Sequence, residues 1–161
     1  MLIRKVRPDE IVELFIEGYK VWNKGRTFEK YCADNGKEDS YGVRYGIEES
    51  GKIVSSLILL KLNNIDGYPV YGIGSVLTAR EYGGKGYASI LLKECLAKIE
   101  EEKRYVFLYS EINPAFYERL EFRSLPASLQ KGGKAVCMVS CSDDLWQKLI
   151  EKDISDIPDY F

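Results

Sequence analysis

The most informative absence is histidine, which occurs nowhere among the 161 residues. Proton transfer near neutral pH must therefore use tyrosine, cysteine, lysine, a carboxylate or water. A zinc site would have to be assembled from cysteine and carboxylate alone, and no metal-ligand spacing is present, so no metal is expected. Excess charge is missing too. The 23 Lys and Arg against 25 Asp and Glu leave a net charge of −2, with no basic field to hold nucleic acid. No apolar run approaches the roughly 20 residues that span a bilayer. The opening residues, Met1-Leu2-Ile3-Arg4-Lys5-Val6-Arg7, lack the apolar stretch of a signal peptide. The expectation is a cytoplasmic protein with neither a membrane nor a nucleic acid as partner. The cysteines, Cys32, Cys95, Cys137 and Cys141, show no paired spacing. On one strand Cys137 and Cys141 would stand about 13 Å apart, beyond disulfide reach.

What is present describes one globular domain over residues 1–161, with 45% hydrophobic and 30% charged residues. Leu2 to Val6 reads as a strand. Pro8-Asp9-Glu10 is a helix-start signal, and Ile11, Val12, Phe15, Ile16, Tyr19 and Trp22 continue it at helical spacing over residues 9–24. A shorter helix begins at Thr27 and closes at Asn35-Gly36. Tyr41 to Glu48 and Lys52 to Leu62 read as a hairpin through Glu49-Ser50-Gly51. Asn63 to Gly67 reads as a turn, and Tyr68 to Thr78 as the next strand. Gly72 and Gly74 share one face of that strand, so either something approaches it closely or the strand bulges.

The chain is organised around the stretch that follows. Val76-Leu77-Thr78 closes a strand, Gly83-Gly84-Lys85-Gly86 makes a turn, and Tyr87-Ala88 leads into a helical run from Ser89 to Lys103. Glycines permit positive φ and close backbone approach. The unpaired N–H groups and positive dipole end of the helix then suit a phosphate or pyrophosphate. The P-loop pattern is absent, because Gly86 stands where a hydroxyl residue would follow the lysine. The dinucleotide pattern also fails, since no helix opens after Gly72-Ile73-Gly74. The stretch resembles motif A of the GCN5-related N-acetyltransferases, where a strand, an Arg/Gln-x-x-Gly-x-Gly/Ala turn and a helix hold the pyrophosphate of acetyl-CoA. Gly86 and Ala88 match that turn. Gly83 stands where the family usually has Arg or Gln.

A second segment resembles motif B of the same family, which ends in Phe-Tyr-Glu-Arg/Lys-Leu-Gly-Phe. Phe116-Tyr117-Glu118-Arg119-Leu120-Glu121-Phe122 matches it except at Glu121, where glycine is usual. Between the motifs lie a long helix and the strand Arg104 to Tyr109, as in the family. After Pro114 to Leu120, a short helix, come two antiparallel strands, Arg123 to Gln130 and Ala135 to Cys141, and a last helix from Asp143. No internal repeat is present. The element order is α+β: a mixed, mostly antiparallel sheet flanked by helices, which is also the order of the acyl-CoA N-acyltransferase (GNAT) fold.

The resemblance implies transfer of an acetyl group from acetyl-CoA to a primary amine by direct attack in a ternary complex. It assigns the cosubstrate to Val76, Leu77 and Thr78 (backbone pairing with pantetheine, and an oxyanion contact from the Val76 N–H), to Gly83, Gly84, Lys85, Gly86, Tyr87 and Ala88 (pyrophosphate), and to Phe116. It makes Tyr117 the donor of a proton to the departing thiolate; the alternative is a tyrosine satisfied within the core. For the base that takes the amine's proton, Glu111 is the first candidate, against a solvent-facing carboxylate with no such part. A water chain or the carboxylate after Tyr160-Phe161 are the other options. The departures at Gly83 and Glu121 leave open a degenerate member that senses acyl-CoA without turnover. The acceptor is a small amine or a protein or peptide lysine, placed near the first two helices and the loop from Gln130 to Lys134. No residue pattern sets the oligomeric state, and a homodimer is one option.

Overall fold

The computed structural model describes residues 1–161. One seven-stranded mixed sheet runs through the chain in the order β1 (Leu2–Lys5), β2 (Gly42–Glu49), β3 (Lys52–Ile65), β4 (Tyr68–Thr78), β5 (Tyr105–Ser110), β7 (Val136–Ser140), β6 (Arg123–Ser124). The helices are α1 (Ile11–Trp22), α2 (Phe28–Gly36), α3 (Tyr87–Ala97), α4 (Ala115–Glu118) and α5 (Asp143–Leu149). The expected α+β GNAT-type architecture is thus the observed one. The chain divides into two compact units, Met1–Leu60 with Ser75–Lys98, and Lys61–Gly74 with Ile99–Phe161.

In the first unit, the Arg4 guanidinium clamps Glu10 at 2.7 Å and Glu48 at 2.6 Å. This joins β1 and β2 to the 3-10 turn Pro8–Glu10 that leads into α1. The hydrogen bond from Arg4 holds the Glu10 carboxyl down at about 2. Helix α1 ends where Arg26 reaches back to the carbonyls of Trp22 (2.8 Å) and Asn23 (3.0 Å), satisfying acceptors the helix leaves open. Thr27 then caps α2 by accepting from Lys30 N–H at 3.2 Å. The helices cross at Gly18, where a Cβ would run into the Tyr31 hydroxyl. Ser50 and Gly51, with φ of +51° and +80°, close β2–β3 as a two-residue hairpin. Val12 and Ile16, expected on the apolar face of α1, are 59% and 39% exposed; the buried contact falls instead on the Gly18 side.

In the second unit, β4 pairs in parallel with β5 over four residues, from Val70↔Tyr105 to Ile73↔Leu108. Strand β5 pairs with β7 in antiparallel fashion from Val106↔Ser140 to Ser110↔Val136. Val70, Tyr105, Phe107, Leu129, Val139 and Leu145 lie in its buried core. Gly72 owes its missing side chain to this unit, because an added Cβ would come within 2.8 Å of the Phe161 ring.

Three local expectations need correction. Asn63 and Asn64 belong to β3, and the turn is Asp66-Gly67 alone, with φ of +51° and +80°. The run expected from Ser89 to Lys103 is a helix from Tyr87 that stops at Ala97. Three successive glutamates, Glu100 to Glu102, would face the negative end of its dipole. The strand expected over 123–130 has only two residues, Arg123 and Ser124. Pro126 breaks it, and the Gln130 side chain takes over the ladder. Its amide donates to the carbonyls of Leu125 (3.0 Å) and Cys137 (2.9 Å) and accepts from Cys137 N–H at 2.8 Å.

Candidate functional site

The first unit carries the glycine-rich stretch in one continuous path. Ser75 adopts φ +49°, a left-handed conformation that costs a residue with a side chain roughly 1–2 kcal/mol. Beyond it, Val76, Leu77 and Thr78 are half-buried at the end of β4. Their exit is tied to β3. Ser55 Oγ and Thr78 Oγ1 share a hydrogen bond of 2.9 Å, and Ala79 N–H donates to Val54 O at 2.9 Å. Val54 is the residue left over where the β2–β3 register shifts, so its carbonyl is available for that bond.

A short 3-10 turn, Arg80–Tyr82, then delivers the glycines. Gly84 and Gly86 have φ of +74° and +79°, and a Cβ on either would meet no atom within 4 Å. Both glycines therefore face open space, and they are there for the left-handed backbone and not for lack of room. Gly86 is the N-cap of α3 and offers no side chain to cap it, and no acidic residue stands in the first turn. The N–H groups of Tyr87, Ala88 and Ser89 are thus uncapped by any side chain, at the positive end of an 11-residue helix. This backbone suits an anion of phosphate size. The Lys85 ammonium lies 5.1 Å from the centre of the Tyr82 ring. The Tyr87 hydroxyl donates to Glu49, and this bond holds it above the ordinary phenol range.

The second unit carries the other set. Tyr117, on α4, is 7% exposed, with its ring edge-on to Phe116 at 5.0 Å and to Phe122 at 6.2 Å. Burial pushes its phenol up to about 12. Its hydroxyl makes no hydrogen bond, yet it is not sealed, because Glu38 Oε2 is the one side-chain polar atom both sealed and unpartnered. The satisfied core hydroxyl of the packing alternative is therefore not observed. Glu111 follows β5, is exposed, and accepts a hydrogen bond from the Tyr160 hydroxyl. Asn113 lies just before α4 and its side-chain oxygen accepts from Ala115 N–H at 3.0 Å.

The model of the acetyltransferase (GNAT) family matches residues 9–122, well over half of the chain. The chain belongs to the GNAT acetyltransferase family. Among solved structures, a probable N-acyltransferase from Enterococcus faecalis V583, a conserved protein of unknown function, is 26% identical with a TM-score of 0.66. The match covers 77% of this chain and 32% of that one, so this GNAT chain spans about a third of that protein's length. A GNAT family N-acetyltransferase from Escherichia coli in complex with CoA is 19% identical, with a TM-score of 0.67 over 89% of this chain and 82% of that one. A GNAT family acetyltransferase from Staphylococcus aureus Mu50 is 16% identical, with a TM-score of 0.64 over 87% and 98%. These two likenesses concern the fold. A comparison with curated protein sequences gives no match.

The GNAT frame makes the two departures interpretable. Glu121 has φ +67° and occupies the position after the helix end in a six-to-one, five-to-two pair of bonds. Phe122 N–H donates to Tyr117 O at 3.2 Å, and Glu121 N–H to Glu118 O at 3.1 Å. That motif favours glycine, so the family's usual glycine is a backbone requirement that Glu121 meets under strain. Gly83 is different. Its φ of −63° and ψ of 154° are open to any residue, and a Cβ would meet only Arg80 O at 3.3 Å. Its missing Arg or Gln is a lost side chain and not a backbone demand.

Sequence reasoning missed Ser55, Glu49 and Tyr160. Each acts on a residue 23 to 49 positions away, a separation that no spacing pattern reports.

Proposed function

We propose that this GNAT domain, acting as one domain over residues 1–161, transfers an acetyl group from acetyl-CoA to a primary amine by direct attack within a ternary complex. The observation that carries the reading is the uncapped N-terminus of α3, entered through left-handed Gly84 and Gly86 directly after the β4 tail. The CoA bound by the Escherichia coli structure of the same fold supports it. The backbone N–H groups from Gly84 to Ala88 hold the pyrophosphate, Leu77 and Thr78 pair with the pantetheine arm, and the Val76 N–H faces the thioester oxygen. Phe116 packs against the cosubstrate. The neutral amine attacks the thioester carbon, the C–S bond breaks, the sulfur receives a proton and the nitrogen loses one.

Tyr117 supplies the donor to the sulfur. A phenol at about 12 is a weaker acid than an ordinary thiol, so it stabilises the forming thiolate by hydrogen bonding ahead of full proton transfer. Glu111 is the candidate acceptor of the amine's proton, already oriented by Tyr160.

The exposed, unstrained Gly83 favours one second reading, an acyl-CoA sensor with weakened phosphate grip. Calorimetry with acetyl-CoA tests the site itself. A valine at position 86 cannot readily adopt φ +79° and would project a side chain into the open space beside the turn, where the phosphates are proposed to lie. Folded Gly86→Val should lose measurable binding; unchanged affinity would place the phosphates elsewhere.

A further inference from the structure

A small cleft in the first unit is lined by Leu14 and Glu17 of α1, Val54 and Ser56 of β3, and Leu77 and Ala79 at the end of β4. Its volume of about 20 Å³ has room for one group the size of water or ammonium. Glu17 is the only charged residue in the lining. Ser56 is 5% exposed and its hydroxyl has no hydrogen-bond partner, while Ser55 beside it is bonded to Thr78 and Leu77. Strand alternation decides where Ser56 points. It pairs with Gly46, two residues from Arg44, and the Arg44 guanidinium lies 5.0 Å from the Phe15 ring of α1. Ser56 therefore faces α1, into the cleft. The unpartnered hydroxyl is not sealed, since Glu38 Oε2 alone is both sealed and unpartnered, so it opens onto the cleft and can hydrogen-bond an arriving polar group.

We propose that Glu17 and Ser56 receive the amine acceptor of the transfer reaction as its ammonium, with its stem along Leu14 and Leu77; the ammonium passes one proton to a base before the neutral nitrogen attacks. This rests on the acetyl-transfer reading above and names the acceptor class within it. A lone carboxylate with no cation in the lining selects against acceptors that carry a carboxylate or phosphate at this point. Glu17 is not withdrawn from such a task by its pairing with Lys20, at 2.7 Å between side chains 42% and 62% exposed. Exposed pairs of this kind contribute little, so an arriving ammonium can replace Lys20 at the carboxylate. The occupant is compact at the nitrogen and unbranched beside it, because the cleft admits one such group.

The test is an amide-shift titration of the full chain by nuclear magnetic resonance with n-butylamine, n-butanol and butyrate, alongside acetyl-CoA calorimetry. The proposal expects n-butylamine to shift the amides of Ser56 and Leu77, and butyrate and butanol to bind far more weakly. Glu17→Gln should weaken n-butylamine by about two- to fivefold, the worth of an ion pair at a carboxylate this exposed, with acetyl-CoA affinity unchanged. Ser56→Ala should weaken it by less. Equal n-butylamine affinity in Glu17→Gln, or equal binding of butyrate, overturns the proposal. If wild type fails to bind acetyl-CoA while the amine effects hold, the amine seat stands and the cosubstrate reading falls.

Discussion

Replacing Glu121 by glycine should stabilise the protein, because the residue sits in a conformation that only glycine adopts freely. Its φ of +67° lies in the left-handed region, which costs a side-chain-bearing residue roughly 1–2 kcal/mol. Glycine offsets part of that gain, since it loses about 0.5–1 kcal/mol more backbone entropy on folding. The difference is a net stabilisation of about 0.5–1 kcal/mol. At the scale of a 150–250-residue protein this raises Tm by roughly 1–4 °C. The native contacts of Glu121 give no reason for a compensating loss, because it is exposed and its backbone bond to Glu118 O at 3.1 Å is unaffected by the change. Thermal unfolding followed by circular dichroism is the assay, with Glu121→Ala as control. Alanine removes the same charge but keeps the Cβ, so it should show none of the gain. A Tm for Glu121→Gly at or below wild type, or an equal rise in Glu121→Ala, would refute the backbone argument.

Further outcomes follow from the same structure. Gly83→Arg should tighten acetyl-CoA by several-fold, in line with a charge-assisted hydrogen bond of about 1.5–3 kcal/mol reduced by the ordering of an exposed side chain; calorimetry showing no gain would mean that the side chain does not reach the phosphates. Tyr117→Phe should lower kcat by roughly 10²-fold, the lower end of general acid effects, with acetyl-CoA affinity unchanged, and full kcat with chemistry rate-limiting would remove Tyr117 from the reaction. The Glu10 carboxyl, held at about 2 by Arg4, stabilises the fold above its unfolded pKa near 4.3, and that contribution disappears as pH falls from there toward 2. Glu10→Gln should therefore lower Tm at pH 7 and leave it nearly unchanged near pH 2, as read by thermal melts across pH.

Much of the fold was legible because it is written locally. The pair Ser50-Gly51 forces a hairpin, Pro8 with Asp9 and Glu10 starts a helix, and the glycines before Tyr87 announce a helix N-terminus after a strand. The glycine-rich stretch from Val76 to Ala88 is likewise one continuous segment, so its residues could be named before their geometry was known. What could not be read depends on residues far apart in the chain. Gly72 and Phe161 meet across 89 positions, and only the structure shows that a ring, not a ligand, fills the gap. Residues 123–130 have the apolar content of a strand, but Pro126 interrupts it and the Gln130 amide substitutes for the missing backbone partner. The strain at Glu121 was visible only as a departure from a pattern. Its cause is the bond from Phe122 N–H to Tyr117 O, which fixes the left-handed turn. The cleft at Glu17 and Ser56 joins a helix to a strand roughly 40 residues later, and sequence spacing carries no trace of it.

The most direct test of the central claim is CoA thiol release from acetyl-CoA, measured continuously with and without a panel of primary amines and lysine peptides. The account predicts steady release above the hydrolysis background only when an amine is added, with the N-acetylated amine found by mass spectrometry in equal amount. Tight acetyl-CoA binding with no amine-dependent release across the panel would contradict transfer and leave the chain an acyl-CoA sensor.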